Sequence, residues 1–171
     1  MTQNSRDPVC SFSTTNMDAA SQDAAIASVV SDLENISSLK EEQTTALKAF
    51  LNKKDVFAVL PTGYGKSLIY QIAPLVAKKL GLFENPLLIV VAPLSALMQE
   101  QIREANRLGL TAFRLGVDAE SDILSGRGQL IFGSPEQWLL NKKWRDMLIS
   151  DAFKDNIMGM VVDEVHLTYK W

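Results

Sequence analysis

The chain has 171 residues, 47% of them apolar, with a formal charge of −3 and a pI near 5.2. The length suits one domain with its own core, and the acidic balance argues against gripping nucleic acid by bulk charge alone. No apolar run approaches the ~20 residues that span a membrane, and the N-terminus lacks the basic and apolar regions of a secretory signal. The lone Cys10 excludes an internal disulfide or a cysteine metal cluster, which fits an intracellular, reducing compartment.

Residues 1–22 are rich in Ser, Thr, Asn and Asp and read as a disordered tail. Residues 23–171 read as one domain. Ile26, Val29, Val30 and Leu33 recur at helical spacing over Ala24–Ile36. Ser38 with Glu41 is a capping-box pair for a second helix that buries Leu39, Ala46, Leu47 and Phe50 and ends near Asn52. Gln43 lies four residues from both Leu39 and Leu47, so it faces inward with them. A buried amide needs partners. It either meets an adenine edge or sits at the margin of the stripe, satisfied by backbone or water.

Val56–Leu60 is five apolar residues, read as a strand. Pro61-Thr62-Gly63-Tyr64-Gly65-Lys66-Ser67 follows, then an apolar helix. Strand, glycine loop and helix in that order suit phosphate. Loop amides curl around the anion and the helix start adds its positive end. Gly63 and Gly65 permit close backbone approach, Lys66 reaches the outer phosphates, and the Ser67 hydroxyl can hold Mg²⁺. The bland alternative is a strand-to-helix turn with an exposed lysine. Leu60 and Pro61 stand where the strict phosphate-loop pattern asks for glycine, so this is a shortened PTGxGKS variant.

Further along, Pro74 should kink or end the helix begun at Lys66, and Gly81 marks a turn. Leu87–Ala92 is the second strand. Ser95–Leu108 is a helix with Leu97, Met98, Ile102 and Ala105 inward. Thr111–Leu115 is a short third strand, Asp118–Leu124 a turn or two of helix, and Leu130–Phe132 the fourth strand. Glu136–Ser150 is helical with a break near Asn141, and Trp138, Leu139, Trp144, Met147 and Leu148 are core candidates. Ile157–Val162 is the fifth strand. Continuous apolar strands alternating with helices predict an α/β fold: a mostly parallel sheet with helices on both faces, and ligands at the carboxyl ends of the strands.

Asp163-Glu164-Val165-His166 follows the last strand directly. Asp163 would hold Mg²⁺, and Glu164 would orient and deprotonate the water that attacks a γ-phosphate. Alone, the pattern also fits a strand that merely enters solvent. Paired with the glycine loop across three intervening strands, it is specific. Lys53-Lys54, Lys78-Lys79 and Lys142-Lys143 with Arg145 are either local nucleic-acid contacts or ordinary surface.

Together these stretches resemble the motifs of superfamily 2 helicases, and among them the RecQ group. PTGYGKS with Leu68-Ile69-Tyr70-Gln71-Ile72 resembles motif I, Val91–Gln101 motif Ia, Ser134-Pro135-Glu136 motif Ib, and Asp163–His166 motif II, with Val165 in place of alanine. The resemblance covers roughly Leu39–Trp171. It implies a RecA-like P-loop domain, the first ATP-binding domain of a 3′→5′ DNA helicase, using ATP and Mg²⁺. It implies nucleotide contacts at Lys40, Gln43, Thr62, Gly63, Tyr64, Gly65, Lys66 and Ser67, and metal contacts at Ser67 and Asp163. Lys66, Asp163 and Glu164 would be catalytic, with His166 coupling ATP state to DNA. Ser95, Gln101, Ser134 and Trp171 would meet DNA, mostly at phosphates. Lys40 stands where this group usually has arginine, and Leu39 where it has an aromatic.

The resemblance further implies that the second RecA-like domain and its completing arginine lie outside this chain, so that these residues alone would bind ATP·Mg²⁺, turn it over slowly and not unwind DNA. Residence would be nuclear in a eukaryote and cytoplasmic otherwise, with no membrane partner. A DEAD-like RNA helicase, or a nucleotide- or protein-binding module without motor activity, are the competing readings.

Overall fold

A computed structural model describes residues 18–34, 36–93 and 95–165. Four strands, β1 (Leu87–Val91), β2 (Ala112–Arg114), β3 (Leu130–Gly133) and β4 (Ile157–Val162), form one sheet in the order β2-β3-β1-β4. Every pairing is parallel. Helices α1 (Ala19–Ser31), α2 (Glu41–Leu51), α3 (Lys66–Lys79) and α4 (Ser95–Arg107) precede or connect the first strands. Short helices α5 (Glu120–Leu124), α6 (Pro135–Leu140), α7 (Lys142–Ile149) and α8 (Asp151–Lys154) follow.

The apolar strands serve two cores at once, because successive side chains leave opposite faces. Leu88, Val90, Leu130 and Phe132 pack with Leu47, Ile72, Val76, Met98 and Ile102 of α2–α4. Leu87, Ile89, Val91 and Ile131 pack with Ile123, Trp138, Trp144, Met147 and Phe153 of α5–α8. Each such burial contributes about 1.5–3 kcal/mol. The expected parallel sheet with helices on both faces is what the chain forms. The carboxyl ends of β1 and β4 open toward the glycine loop.

The expected first strand is absent. Val56–Leu60 is extended but joins no ladder, and Phe57 and Val59 are each 79% exposed. A groove of about 550 Å³ separates this run from the edge of β4, where Met160 and Val162 are also exposed. An extended apolar run becomes a strand only where an edge accepts its hydrogen bonds. Here the Leu60 and Pro61 carbonyls accept from the Lys66 ammonium instead, at 2.9 and 3.3 Å.

Smaller differences have local causes. Helix α1 starts at Ala19, so the tail cannot extend to residue 22. Two alanines favour the helix there, and the buried Gln22 donates to Asn52 Oδ1 at 3.2 Å. The N-cap of α2 is Lys40 rather than Ser38, and the N3 position of the capping box is served by Gln43, whose Oε1 accepts from Lys40 N at 2.9 Å. Pro74 neither ends α3 nor leaves its core; Val76 and Ala77 beyond it are fully buried and hold the last turn. Leu97 and Leu139 turn outward. Each is one residue, about 100° around the helix, from the inward Met98 or Trp138.

Candidate nucleotide site

The glycine loop turns on two residues that a side chain would strain, Gly63 at φ 76 and Gly65 at φ 84. Gly65 is also the N-cap of α3, so Lys66 and Ser67 lie on that helix's first turn. The positive end of α3 and its first amides therefore face whatever the loop encloses. Lys66 rests on the Leu60 and Pro61 carbonyls, within the loop it would share with phosphate.

The loop is tied to the head of α2. Gln43 Nε2 donates to Tyr64 O at 3.1 Å and Gly65 O at 3.0 Å. With Oε1 held by Lys40 N, the amide is satisfied by backbone. These contacts are the backbone partners that a buried amide needs. Both its N–H groups are engaged, so an adenine edge would have to share or displace them. Lys40 Nζ lies 3.4 Å from Tyr64 O and 3.7 Å from the centre of the Tyr64 ring, and the Tyr64 hydroxyl donates to Glu42 Oε2 at 2.6 Å. That hydrogen bond holds the Glu42 carboxyl below its ordinary range and pushes the Tyr64 phenol up.

Asp163 stands at the carboxyl end of β4, its N–H bonded to Val91 O at 2.9 Å. Its carboxylate is oriented from two sides. Oδ1 accepts from Glu164 N at 2.9 Å, and Oδ2 faces the Tyr70 hydroxyl at 3.2 Å. Tyr70 lies one turn along α3 from Lys66 and Ser67. Ser67, on the first turn of α3, and Asp163, at the end of β4, line the same cleft. A hydroxyl and a carboxylate facing one cleft suit a hard, octahedral cation that keeps several waters. Burial first, then the negative Asp163, push the Tyr70 phenol well above its usual range, so it stays a neutral donor.

Glu164 follows with φ 51, a conformation uncommon for a residue with a side chain. The strained turn aims successive carboxylates differently. The loop, the start of α3, Asp163 and Glu164 all line one open cleft of about 1110 Å³.

The sequence did not single out Tyr70 and Gln71 as working residues. Gln71 is buried, and its Nε2 donates to Gln101 Oε1 at 2.9 Å; the Tyr70 hydroxyl lies 3.1 Å from the same oxygen. Gln71, a polar residue amid an apolar helix, was the available signal. Gln101 is correspondingly turned toward α3 and the site, rather than outward to a nucleic-acid backbone. Ser134 is engaged as the N-cap of α6, where its Oγ accepts from Gln137 N at 3.3 Å and its N–H donates to Gln137 Oε1 at 2.9 Å. Thr62 is exposed on the loop. Ser95 begins α4, while His166 and Trp171 lie outside the described residues.

The profile of the DEAD/DEAH box helicases matches residues 40–171. The chain is 27% identical to ATP-dependent DNA helicase Q1 of Rattus norvegicus over 84% of its length, which is 24% of that relative. It is 29% identical to ATP-dependent DNA helicase RecQ of Haemophilus influenzae, over 84% of this chain and 23% of the relative. It is 31% identical to RecQ of Synechocystis, over 75% and 27%. It thus spans about a quarter of the length of these relatives. Among solved structures, the DUF1998 helicase MrfA bound to DNA and AMPPNP shares the fold at a TM-score of 0.65 and 21% identity, over 86% of this chain and 21% of that one. A hypothetical ATP-dependent RNA helicase from Sulfolobus tokodaii aligns at 0.57 and 18% identity, over 90% and 43%. With the glycine loop and the Asp163–Glu164 pair lining one cleft and the profile covering most of its length, the chain belongs to the DEAD/DEAH box helicase family.

Proposed function

We propose that this domain binds ATP·Mg²⁺ as the first motor domain of a RecQ-like 3′→5′ DNA helicase, in which ATP hydrolysis drives strand separation. The observation that carries the reading is that Ser67 of α3 and Asp163 of β4 line one cleft with the glycine loop, Asp163 being held by the Tyr70 hydroxyl one turn along α3 from Ser67. It gives one cation a hydroxyl from the phosphate loop's helix and a carboxylate from a distant strand.

On this reading Lys66 leaves the Leu60 and Pro61 carbonyls for the outer phosphates, and the loop amides at 62–67 hold the rest. Bound Mg²⁺ would neutralise charge on the β- and γ-oxygens. Asp163, already oriented by Tyr70 and Glu164 N, needs no rearrangement to face it. Glu164 orients the attacking water and takes its proton. Gln43 serves the base end by fixing the loop beside it. Residues 23–171 act as one domain, for which single-stranded DNA and a second RecA-like domain are the partners. The RecQ names of its relatives favour DNA over RNA. DNA contacts at Ser95, Ser134 and Trp171 and coupling through His166 belong to the same reading, whereas Gln101 serves from within.

The test is binding of AMPPNP with Mg²⁺, by calorimetry, to the wild-type chain and to Lys66→Ala. Losing a charge-assisted phosphate contact of ~1.5–3 kcal/mol predicts about 10- to 150-fold weaker binding. Equal affinity in the two proteins would overturn the reading. In the whole protein, hydrolysis stimulated by RNA and not by single-stranded DNA would replace the DNA assignment.

A further inference from the structure

Tyr64 is the one bulky side chain between the two positive-φ glycines, and it is held at three places. Its ring lies under the Lys40 ammonium, 3.7 Å from the centroid; its hydroxyl donates to Glu42 at 2.6 Å; its carbonyl accepts from Lys40 Nζ and Gln43 Nε2. All three partners come from the N-terminus of α2. Among the described residues, one backbone hydrogen bond closes the loop's turn, Tyr64 N to Pro61 O at 3.2 Å. So the α2 side chains, not the loop's own backbone, set where its amides point.

We propose that Lys40, Glu42 and Tyr64 form a strap that fastens the glycine loop to α2 and presets its amides for the nucleotide. The strap's purpose rests on the nucleotide reading above; its existence does not. Lys40 and Tyr64 then act as positioning residues rather than as direct contacts. A cation over a ring and a phenol on a carboxylate hold without burying a charge, so the loop stays open to solvent while its shape is fixed. A preset loop loses less freedom when it closes on phosphate, and affinity rises by that saving. Gln43, buried on the same end of α2, bonds the same carbonyl, so the strap and Gln43 hold Tyr64 together.

The experiment pairs hydrogen exchange of the residue 62–66 amides in the nucleotide-free chain with AMPPNP·Mg²⁺ titration. It compares the wild type with Tyr64→Phe, Glu42→Gln, the double variant, Lys40→Ala and Lys40→Arg. Tyr64→Phe and Glu42→Gln should each speed loop exchange and weaken AMPPNP binding by about three- to tenfold. The double variant should be no worse than the poorer single, and Lys40→Arg should restore what Lys40→Ala loses. Exchange elsewhere in the chain should not move. Unchanged loop exchange, or losses that add in the double variant, would overturn the strap. Faster exchange with unchanged AMPPNP affinity would overturn its role in presetting. If the wild type itself bound no AMPPNP, the nucleotide reading would fall with the presetting role, and loop exchange alone would decide the strap.

Discussion

Replacing Gly65 by alanine tests how the glycine loop and α2 depend on each other. At φ 84 a side chain costs about 1–2 kcal/mol in backbone strain. The added Cβ would also lie 2.6 Å from Gln43 Nε2, closer than atoms can approach. That nitrogen ends a flexible side chain, so moving it is cheap in itself. Moving it breaks its bonds to the Tyr64 and Gly65 carbonyls, at about 0.5–1.5 kcal/mol each. Gly65→Ala should therefore destabilise by roughly 2–5 kcal/mol. In a Gln43→Ala background those bonds are already gone and the space is open. The same substitution should then cost only the backbone term, about 1–2 kcal/mol. Urea unfolding followed by circular dichroism for the wild type, both singles and the double gives the coupling directly. Equal costs of Gly65→Ala in the two backgrounds, within the ~0.5 kcal/mol expected of independent sites, would refute the contact.

Ser134→Ala removes the N-cap of α6 and should cost about 1 kcal/mol, read as a midpoint lowered by about 2–4 °C in thermal unfolding. Gly159→Ala places a Cβ 2.6 Å from the Phe50 ring, which cannot swing aside as a chain end can; an overpacking loss of about 1–3 kcal/mol should appear in denaturant unfolding. Tyr70→Phe should change how stability depends on alkaline pH. The folded-state pKa of Tyr70 is raised, so its contribution is complete below the ordinary phenol value of about 10 and is lost as pH rises toward the folded value. Denaturation midpoints above about pH 10 should fall less steeply in Tyr70→Phe than in the wild type, by up to about 1.4 kcal/mol per pH unit, and parallel curves would contradict the burial of this hydroxyl.

The elements most legible in the sequence are those whose state is fixed by their own composition. Leu87–Val91, Leu130–Gly133 and Ile157–Val162 are apolar on both faces and become central strands between two cores. The glycine loop and the acidic pair at 163–164 were legible because few other arrangements need those residues at strand ends. Val56–Leu60 was not, although its composition is equally strand-like. It pairs with no strand although the edge of β4 faces it across a groove, and its last carbonyl is held by Lys66. Gln101 was misdirected for a similar reason. Helical spacing places it near the inward face, but only the meeting of α3 and α4 decides that Tyr70 and Gln71 are its partners. Ser38 is not the cap because the helix begins only at Glu41, with Lys40 as its N-cap and Gln43 Oε1 accepting from Lys40 N.

The arrangement of α3 explains why so much of the site converges without a dedicated loop. Lys66 and Ser67 occupy its first turn; Tyr70 and Gln71, three or four residues on, lie beside them on the same face. One turn of helix therefore carries a phosphate group's partners at its tip and, about 5–6 Å behind them, the groups that reach Asp163 on β4 and Gln101 on α4. A helix turn is stiff at this scale, so Ser67 and Tyr70 keep a fixed relation to each other. Tyr70 has one proton and two acceptors, Asp163 Oδ2 at 3.2 Å and Gln101 Oε1 at 3.1 Å. A single hydroxyl therefore joins α3 to the Asp163 carboxylate of β4 and to Gln101 of α4.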